Sequence, residues 1–196
     1  MAVVEMVEIE RRWLLADSVN MKKLSLTDGW EQSNITQVYL ERHTKGSERI
    51  RLRVRLGEVT NENEYTHTIK EPLEVGQLEK EEVISEARFN ELMSRINLKH
   101  QVIMKTRYVK KIGDLKFEVD EFIHPFAAKI LEVEVASLDD EVIIPDCLGK
   151  TIEVTGDKSI SNFNLSLKPK AAKKKIKKYL DDFKESGRLQ ASRPAT

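Results

Sequence analysis

The chain has 196 residues, and 33 Lys and Arg stand against 33 Asp and Glu, so the formal net charge is zero although 34% of residues are charged. A typical soluble domain carries roughly a quarter of its residues as charges; the even balance excludes an acidic solvating protein or a general nucleic-acid binder, and 40% hydrophobic residues exclude a disordered chain. The length suits one domain with a substantial core. A single cysteine, Cys147, forbids an intrachain disulfide and fits a reducing compartment. With no visible signal peptide and no apolar run near the ~18 residues of a membrane span, a cytoplasmic, soluble protein is expected.

Along the chain, period-two alternation dominates and predicts strands with two unlike faces. Residues 7–15 put Glu8, Glu10 and Arg12 on one face, and Val7, Ile9 and Arg11 on the other. A second strand starts at Ile35. In the third, Arg49, Arg51, Arg53 and Arg55 alternate with Ile50, Leu52, Val54 and Leu56. Residues 57–63 read as a hairpin loop, 64–70 as a strand, Pro72 and Gly76 as a turn, and 78–84 as the returning strand. The period then changes. Phe89, Leu92, Met93 and Ile96 lie at helical spacing behind Ser85, a candidate N-cap. Strands resume over 101–112, 115–123 and 129–137. Residues 139–149 read as a short helix and loop, and 155–167 as a helix capped by Thr155. The sum is about eight hairpin-joined strands and a few helices, in a domain spanning residues 1–168. Beyond it, residues 169–196 form a basic tail in which Ile176, Tyr179, Leu180 and Phe183 mark an amphipathic helix, frayed after about Glu185.

Side chains two apart on a strand share a face. The acidic faces are Glu8/Glu10, Glu79/Glu81, Glu118/Asp120 and Glu132/Glu134; the basic ones are Arg51/Arg53/Arg55, Lys70 and Lys105/Arg107. Two arrangements satisfy this pattern. An open antiparallel sheet would turn the charges to water. A barrel would turn one face inward, with the apolar face packed against outer helices. In the second, arginines and lysines can hold phosphate oxygens, and carboxylates can hold hard cations such as Mg²⁺ or Mn²⁺.

The stretch Glu8-Ile9-Glu10-Arg11-Arg12-Trp13-Leu14-Leu15 resembles the EIERKFLV signature of the CYTH superfamily, the triphosphate tunnel metalloenzymes. The likeness continues in order through Arg51–Arg55, Thr68-Ile69-Lys70, the Glu-rich strand at 78–83, Lys105-Thr106-Arg107-Tyr108, Phe117-Glu118-Val119-Asp120, Leu131-Glu132-Val133-Glu134-Val135 and Thr155-Gly156-Asp157-Lys158, with Asn162 downstream. It covers roughly residues 5–168. The resemblance implies a mainly β, α+β fold: an eight-stranded antiparallel β-barrel enclosing a tunnel, with flanking helices. It implies a divalent-metal-dependent phosphohydrolase that cleaves the terminal phosphate of a triphosphate; because the chain shows no base-recognition motif, inorganic triphosphate is the preferred substrate. Nucleoside or thiamine triphosphate hydrolysis, class IV-type adenylyl cyclisation and triphosphate binding without turnover stay open. By matching position, Glu8, Glu10, Asp120, Glu132 and Glu134 are the implied metal carboxylates. Arg51, Arg53, Arg55, Lys70, Lys105, Arg107 and Lys158 would grip phosphate, and Glu10, Arg12 and Lys105 would act in catalysis. Glu81, Glu118 and Asp157 would complete the tunnel.

One departure stands out: the last lysine of the family's ExExK is Arg12. Arginine keeps the charge but does not give up its proton, so phosphate binding survives and a role as proton acceptor does not. The register of the 78–84 strand is also open, because a one-residue slip would present Lys80 and Glu82 in place of Glu79 and Glu81.

The four histidines, His43, His67, His100 and His124, show no metal-ligand spacing. Cys147 has no partner motif and reads as a bystander thiol. Trp13 and Trp30 are assigned to packing, and Tyr39 is a candidate for approach to substrate. The expected partner is a triphosphate-bearing small molecule, with no membrane. Nucleic acid enters only as 5′-triphosphate RNA or through the basic C-terminal helix, and a homodimer is left open.

Overall fold

The structure is a computed structural model and describes residues 3–16, 18–41, 49–57 and 62–191. Ten strands form one sheet: β1 (Val3–Glu8), β2 (Glu10–Leu15), β3 (Glu31–Tyr39), β4 (Arg49–Gly57), β5 (Asn63–Pro72), β6 (Gln77–Ile84), β7 (Ile103–Ile112), β8 (Leu115–His124), β9 (Ala128–Glu134) and β10 (Thr151–Glu153). The helices are α1 (Met21–Thr27), α2 (Glu86–Met93), α3 (Asn162–Leu167) and α4 (Pro169–Ala191). Hydrogen bonding orders the strands β1-β6-β5-β4-β3-β7-β8-β9-β2-β10, with every pair antiparallel. The ladder has two ends, so the mainly β, antiparallel fold is as expected, but the sheet is not a closed eight-stranded barrel.

The ends are nevertheless linked through the chain. β1 and β2 are one extended run interrupted only at Ile9, and their halves pair with strands far apart in the order, β1 with β6 and β2 with β9. The Ile9 carbonyl accepts from Val135 N–H at 2.9 Å, which extends the β9 side past the break. The turn between β5 and β6 must come close to this break. At Gly76, φ is +74° and an added Cβ would lie 3.0 Å from Ile9 Cγ1 and nearer still to the Glu8 carbonyl oxygen, so only glycine fits.

The alternation sorts side chains as the sequence predicts. Outside β7, β8, β9 and β2, the apolar face (Trp13, Leu15, Tyr108, Phe117, Val119, Leu131, Val133) is covered by Met21 of α1 and by Trp30 and Leu148. Outside β3, β4, β5 and β6, Val38, Ile50, Leu52 and Ile84 pack under Leu92, with Phe89 and Met93 of α2 alongside. Trp13 and Trp30 are both core residues, as assigned. Ser85 caps α2 by accepting from Arg88 N–H. A third cluster fills one end of the inner face. There Leu14, Tyr39, Ile103, Phe122 and Ile130 meet Leu165 of α3 and Ala172 and Ile176 of α4, with Tyr179 and Leu180 packed alongside. The apolar stripe of the basic helix is therefore spent on the domain core.

Several expectations are corrected. α1 and the short β10 replace stretches read as connection. Residues 155–167 are not one helix capped by Thr155. A 3₁₀ turn, Lys158–Ile160, is capped by Asp157, and α3 is capped by Ser161, because these side chains accept from Ser159 N–H and Asn164 N–H. The short helix expected within 139–149 is a single 3₁₀ turn, Asp146–Leu148. The tip of the 57–63 loop and His43 lie outside the described residues, as do residues 192–196. Among the described residues no helix is long and apolar enough to cross a membrane.

Candidate active site

The inner face surrounds a cavity of about 500 Å³ to which every strand from β1 to β9 contributes. Its charged lining residues, among those described, are carboxylates and cations in equal number. The lining includes Glu8, Glu10, Arg12, Arg51, Arg53, Arg55, Lys70, Glu81, Arg107, Glu118, Glu132, Glu134, Asp157 and Lys158, all expected from the sequence. Lys105 and Asp120, also expected, are not in the lining. They are 2% and 1% exposed and form an ion pair with each other. Lys158, expected on a helix at one mouth, opens the 3₁₀ turn there.

Register places each lining group. Arg51 on β4 stands opposite Thr68 on β5, which stands opposite Glu81 on β6. Arg51 donates to Thr68 Oγ1 at 3.0 Å, to Glu81 at 3.0 Å and to Glu79 at 3.3 Å, and the Thr68 hydroxyl donates to Glu81 at 2.7 Å. This settles the open register: Glu79 and Glu81 face the cavity, while Glu82 faces away and meets His67 Nδ1 at 2.9 Å. Lys70 bridges Glu8, at 2.6 Å, and Glu79. Gln77 donates to Glu8 at 2.6 Å. Across the β2–β9 seam, Arg12 pairs with Glu10 and, through Nε, with Glu132 at 3.0 Å. Arg107 grips Asp120 with two bonds of 2.7 Å, pairs with Glu118 and reaches Glu132 at 3.4 Å.

These contacts leave charge unmatched in two places. Arg53 is 7% exposed; its nearest carboxylate, Glu81, is 4.0 Å away, and its Nε has no hydrogen-bond partner. Burial and the neighbouring charges of Arg51 and Arg107 push its pKa down to about 10. The opposite imbalance lies at Glu10. Burial and the charge of Glu132 push its pKa up to about 7, which Arg12 only partly offsets. At Glu8, Glu81 and Asp120 pairing wins over burial, whereas at Glu79 burial wins and raises the carboxyl. Burial acts to raise Glu8 and Glu81, but Lys70 holds the first, and Arg53 and Arg51 the second, at about 2. Burial would also raise Asp120, yet Arg107 and Lys105 hold it well below the usual carboxylate range, and Lys105 falls to about 8 through its own burial. The site thus has a spot short of negative charge and a spot short of positive charge.

The sequence reading missed Arg49, Glu79, Gln77 and Lys116 as site residues; all line the cavity. Arg49 shares the parity of Arg51, Arg53 and Arg55, and that was a usable signal. Lys116 holds Glu118 on its own strand and Glu134 on β9 at 3.0 Å each; it shares the parity of Glu118 and Asp120, a signal of the same kind. Tyr39 also lines the cavity; it is buried, accepts from Gln37 at 3.1 Å, and is pushed up to about 12 by burial. Cys147 is exposed and away from the cavity lining.

Known proteins share the sequence pattern and the fold. A CYTH domain model matches residues 6–161. The chain belongs to the CYTH family. Among solved structures, two of the protein NE1496 are similar. In one, that of the inorganic triphosphatase NE1496, the match is 30% identical over 83% of this chain and 95% of that one, with a TM-score of 0.50. In the other it is 31% identical over 82% and 97%, with a TM-score of 0.51. PH1819 from Pyrococcus horikoshii OT3, 19% identical over 68% of this chain and 81% of its own, shares the fold at a TM-score of 0.52. No curated protein sequence matches this CYTH chain.

Proposed function

We propose that this CYTH chain is a divalent-metal-dependent triphosphatase that removes the terminal phosphate of a triphosphate, inorganic triphosphate by preference. The observation that carries the reading is Arg53: a buried guanidinium with a free donor and too little negative charge around it, aimed into a cavity already framed by cations. A polyanion supplies what Arg53 lacks. Support also comes from the likeness to NE1496, an inorganic triphosphatase. The run β1–Ile9–β2 spans from β6 to β9, and we read it as what makes the curled sheet a tunnel.

The residues present suit a hard cation. Glu8 and Glu10 on the β1–β2 run and Glu132 and Glu134 on the neighbouring β9 offer carboxylate oxygens, and the raised Glu10 marks a donor set short of positive charge. Among the described residues no three such groups already stand together as a metal site; Arg12 bridges Glu10 and Glu132, Lys70 pairs with Glu8 and Lys116 with Glu134. A bound Mg²⁺ or Mn²⁺ would polarise a phosphoryl oxygen and neutralise developing charge. Arg51, Arg53, Arg55, Lys70, Arg107 and Lys158 bind and orient the phosphates. Lys105 and Asp120 act from beneath: Asp120 fixes the fork of Arg107, and Lys105 keeps Asp120 ionised. They are positioning residues here rather than groups in contact with phosphate or metal.

Arg12 favours a second reading, capture without turnover. Its guanidinium is paired with Glu10 and Glu132 and has no basic lone pair to offer. One experiment separates the two readings. The protein is incubated with Mg²⁺ or Mn²⁺ and with inorganic triphosphate, ATP, GTP or thiamine triphosphate, and orthophosphate, pyrophosphate and cyclic nucleotide are measured. The triphosphatase reading predicts orthophosphate, fastest from inorganic triphosphate. Tight binding with no product from any of the four overturns it, and a rate gain in Arg12→Lys would then identify Arg12 as the cause.

A further inference from the structure

Helix α4 carries a second basic surface that the cavity does not use. Lys168, Lys170, Lys173, Lys174, Lys177 and Lys178 are all exposed, as is Lys175. The helix is held in one orientation, with Ala172 and Ile176 buried in the core and Tyr179 and Leu180 packed against it, so Lys170, Lys173, Lys174, Lys177 and Lys178 lie away from the core, while Lys175 reaches Asp157. Lys170, Lys174 and Lys178 form one row at i, i+4 spacing, and Lys173 and Lys177 form a neighbouring row. Like charges at that spacing cost a helix a few tenths of a kcal/mol per pair. Among the described residues none of these five lysines has a carboxylate partner. The packed side of the helix, not this outer face, meets the cavity rim: Asp157, which lines the cavity, accepts from the Tyr179 hydroxyl at 2.9 Å and lies 3.5 Å from Lys175. The stretch matched by the CYTH model ends at residue 161, before this helix begins.

We propose that the outer face of α4 is a docking surface for linear inorganic polyphosphate. The choice among polyanions follows from what the face lacks. Its exposed side chains from Lys168 to Lys178 are lysines and Ala171, with no aromatic on which a base could stack, so it lacks the platform that would favour a nucleic acid over a bare phosphate chain. Ala172 and Ile176 are buried and Tyr179 and Leu180 pack against the same core, so the lysine face carries no apolar stripe to insert into a lipid surface. Attraction is purely to closely spaced phosphate charge and therefore depends steeply on salt. The proposal rests on the phosphate reading of the cavity only for the choice of ligand, and a binding measurement, which needs no turnover, separates the two.

The test uses the full chain and fluorescently labelled long-chain polyphosphate, followed by anisotropy at several salt concentrations. The variant replaces Lys170, Lys173, Lys174, Lys177 and Lys178 by alanine, a residue that keeps a helix, with circular dichroism as the check on folding. A companion variant carries arginine at the same five positions. The expected result is at least about a tenfold loss of affinity in the alanine variant at low salt, and a salt slope shallower by about 0.7 for each phosphate contact removed. The arginine variant keeps the affinity, and release of orthophosphate from inorganic triphosphate is unchanged in both. Equal binding by the alanine variant and the unmodified chain overturns the proposal. So does a single-stranded RNA of matched charge, or an anionic phosphatidylserine vesicle, that displaces polyphosphate at lower concentration, since that would assign the face to another partner.

Discussion

Arg53 and Glu10 carry opposite unmet charge, and each yields a measurement. Replacing Arg53 by methionine removes a buried cation whose nearest carboxylate is 4.0 Å away. Binding of inorganic triphosphate should weaken on the order of 10- to 100-fold, the worth of one or two charge-assisted hydrogen bonds. Stability should stay level or rise, because an under-paired buried charge is lost. Isothermal titration and thermal unfolding read the two effects; unchanged affinity would remove Arg53 from the site. At Glu10, a folded-state pKa raised to about 7 from an unfolded value of 4.5 means the folded chain binds more protons between those values, so its stability falls as pH rises through that window. In Glu10→Gln the penalty disappears. With a chelator present, that variant should melt at least about 3 °C above the unmodified chain at pH 8 and show no gain at pH 4. A gain or loss of equal size at both pH values would mean that Glu10 is not held against its charge.

At the scale of elements, the helix α4 and the break at Ile9 organise the site from its ends. Ile176 is buried among Ile103, Phe122, Ile130 and Leu165 in the cluster that closes one end of the inner face. Ile176→Ala should cost about 2–4 kcal/mol, seen as a drop in Tm of roughly 5–15 °C; a change within 1–2 °C, far below that estimate, would show that the helix is not part of the core. Much of this was legible in the chain. Alternation alone placed Glu8, Glu10, Arg51, Arg53, Glu132 and Glu134 on one face, because a strand has a fixed period of two. The apolar stripe of α4 was legible for the same kind of reason, at the helical period. What escaped was non-local. Alternation fixes a side, not a depth, so it could not say that Asp120 and Lys105 lie beneath the lining while Gln77 and Lys116 reach it. Nor could it choose between Glu79 and Lys80, a choice made by Lys70 and Arg51 across neighbouring strands. The two ends of the ladder were equally invisible: they follow from β1 and β2 taking different partners on either side of one residue, Ile9.

For the molecule as a whole, zero net charge is the sum of two tasks. The cavity is lined by carboxylates and cations in equal number, arranged so that most pair, with one region short of each sign. On the function proposed above, such a site would take a ligand that brings both signs at once, a phosphate chain together with a divalent cation, and either alone would satisfy only half of it. The direct measurement is orthophosphate release from inorganic triphosphate as Mg²⁺ or Mn²⁺ is titrated in and then removed by a chelator. A metal-dependent triphosphatase gives release that rises with metal, stops on chelation and exceeds that from ATP; triphosphate recovered intact at every metal concentration would contradict the proposed function.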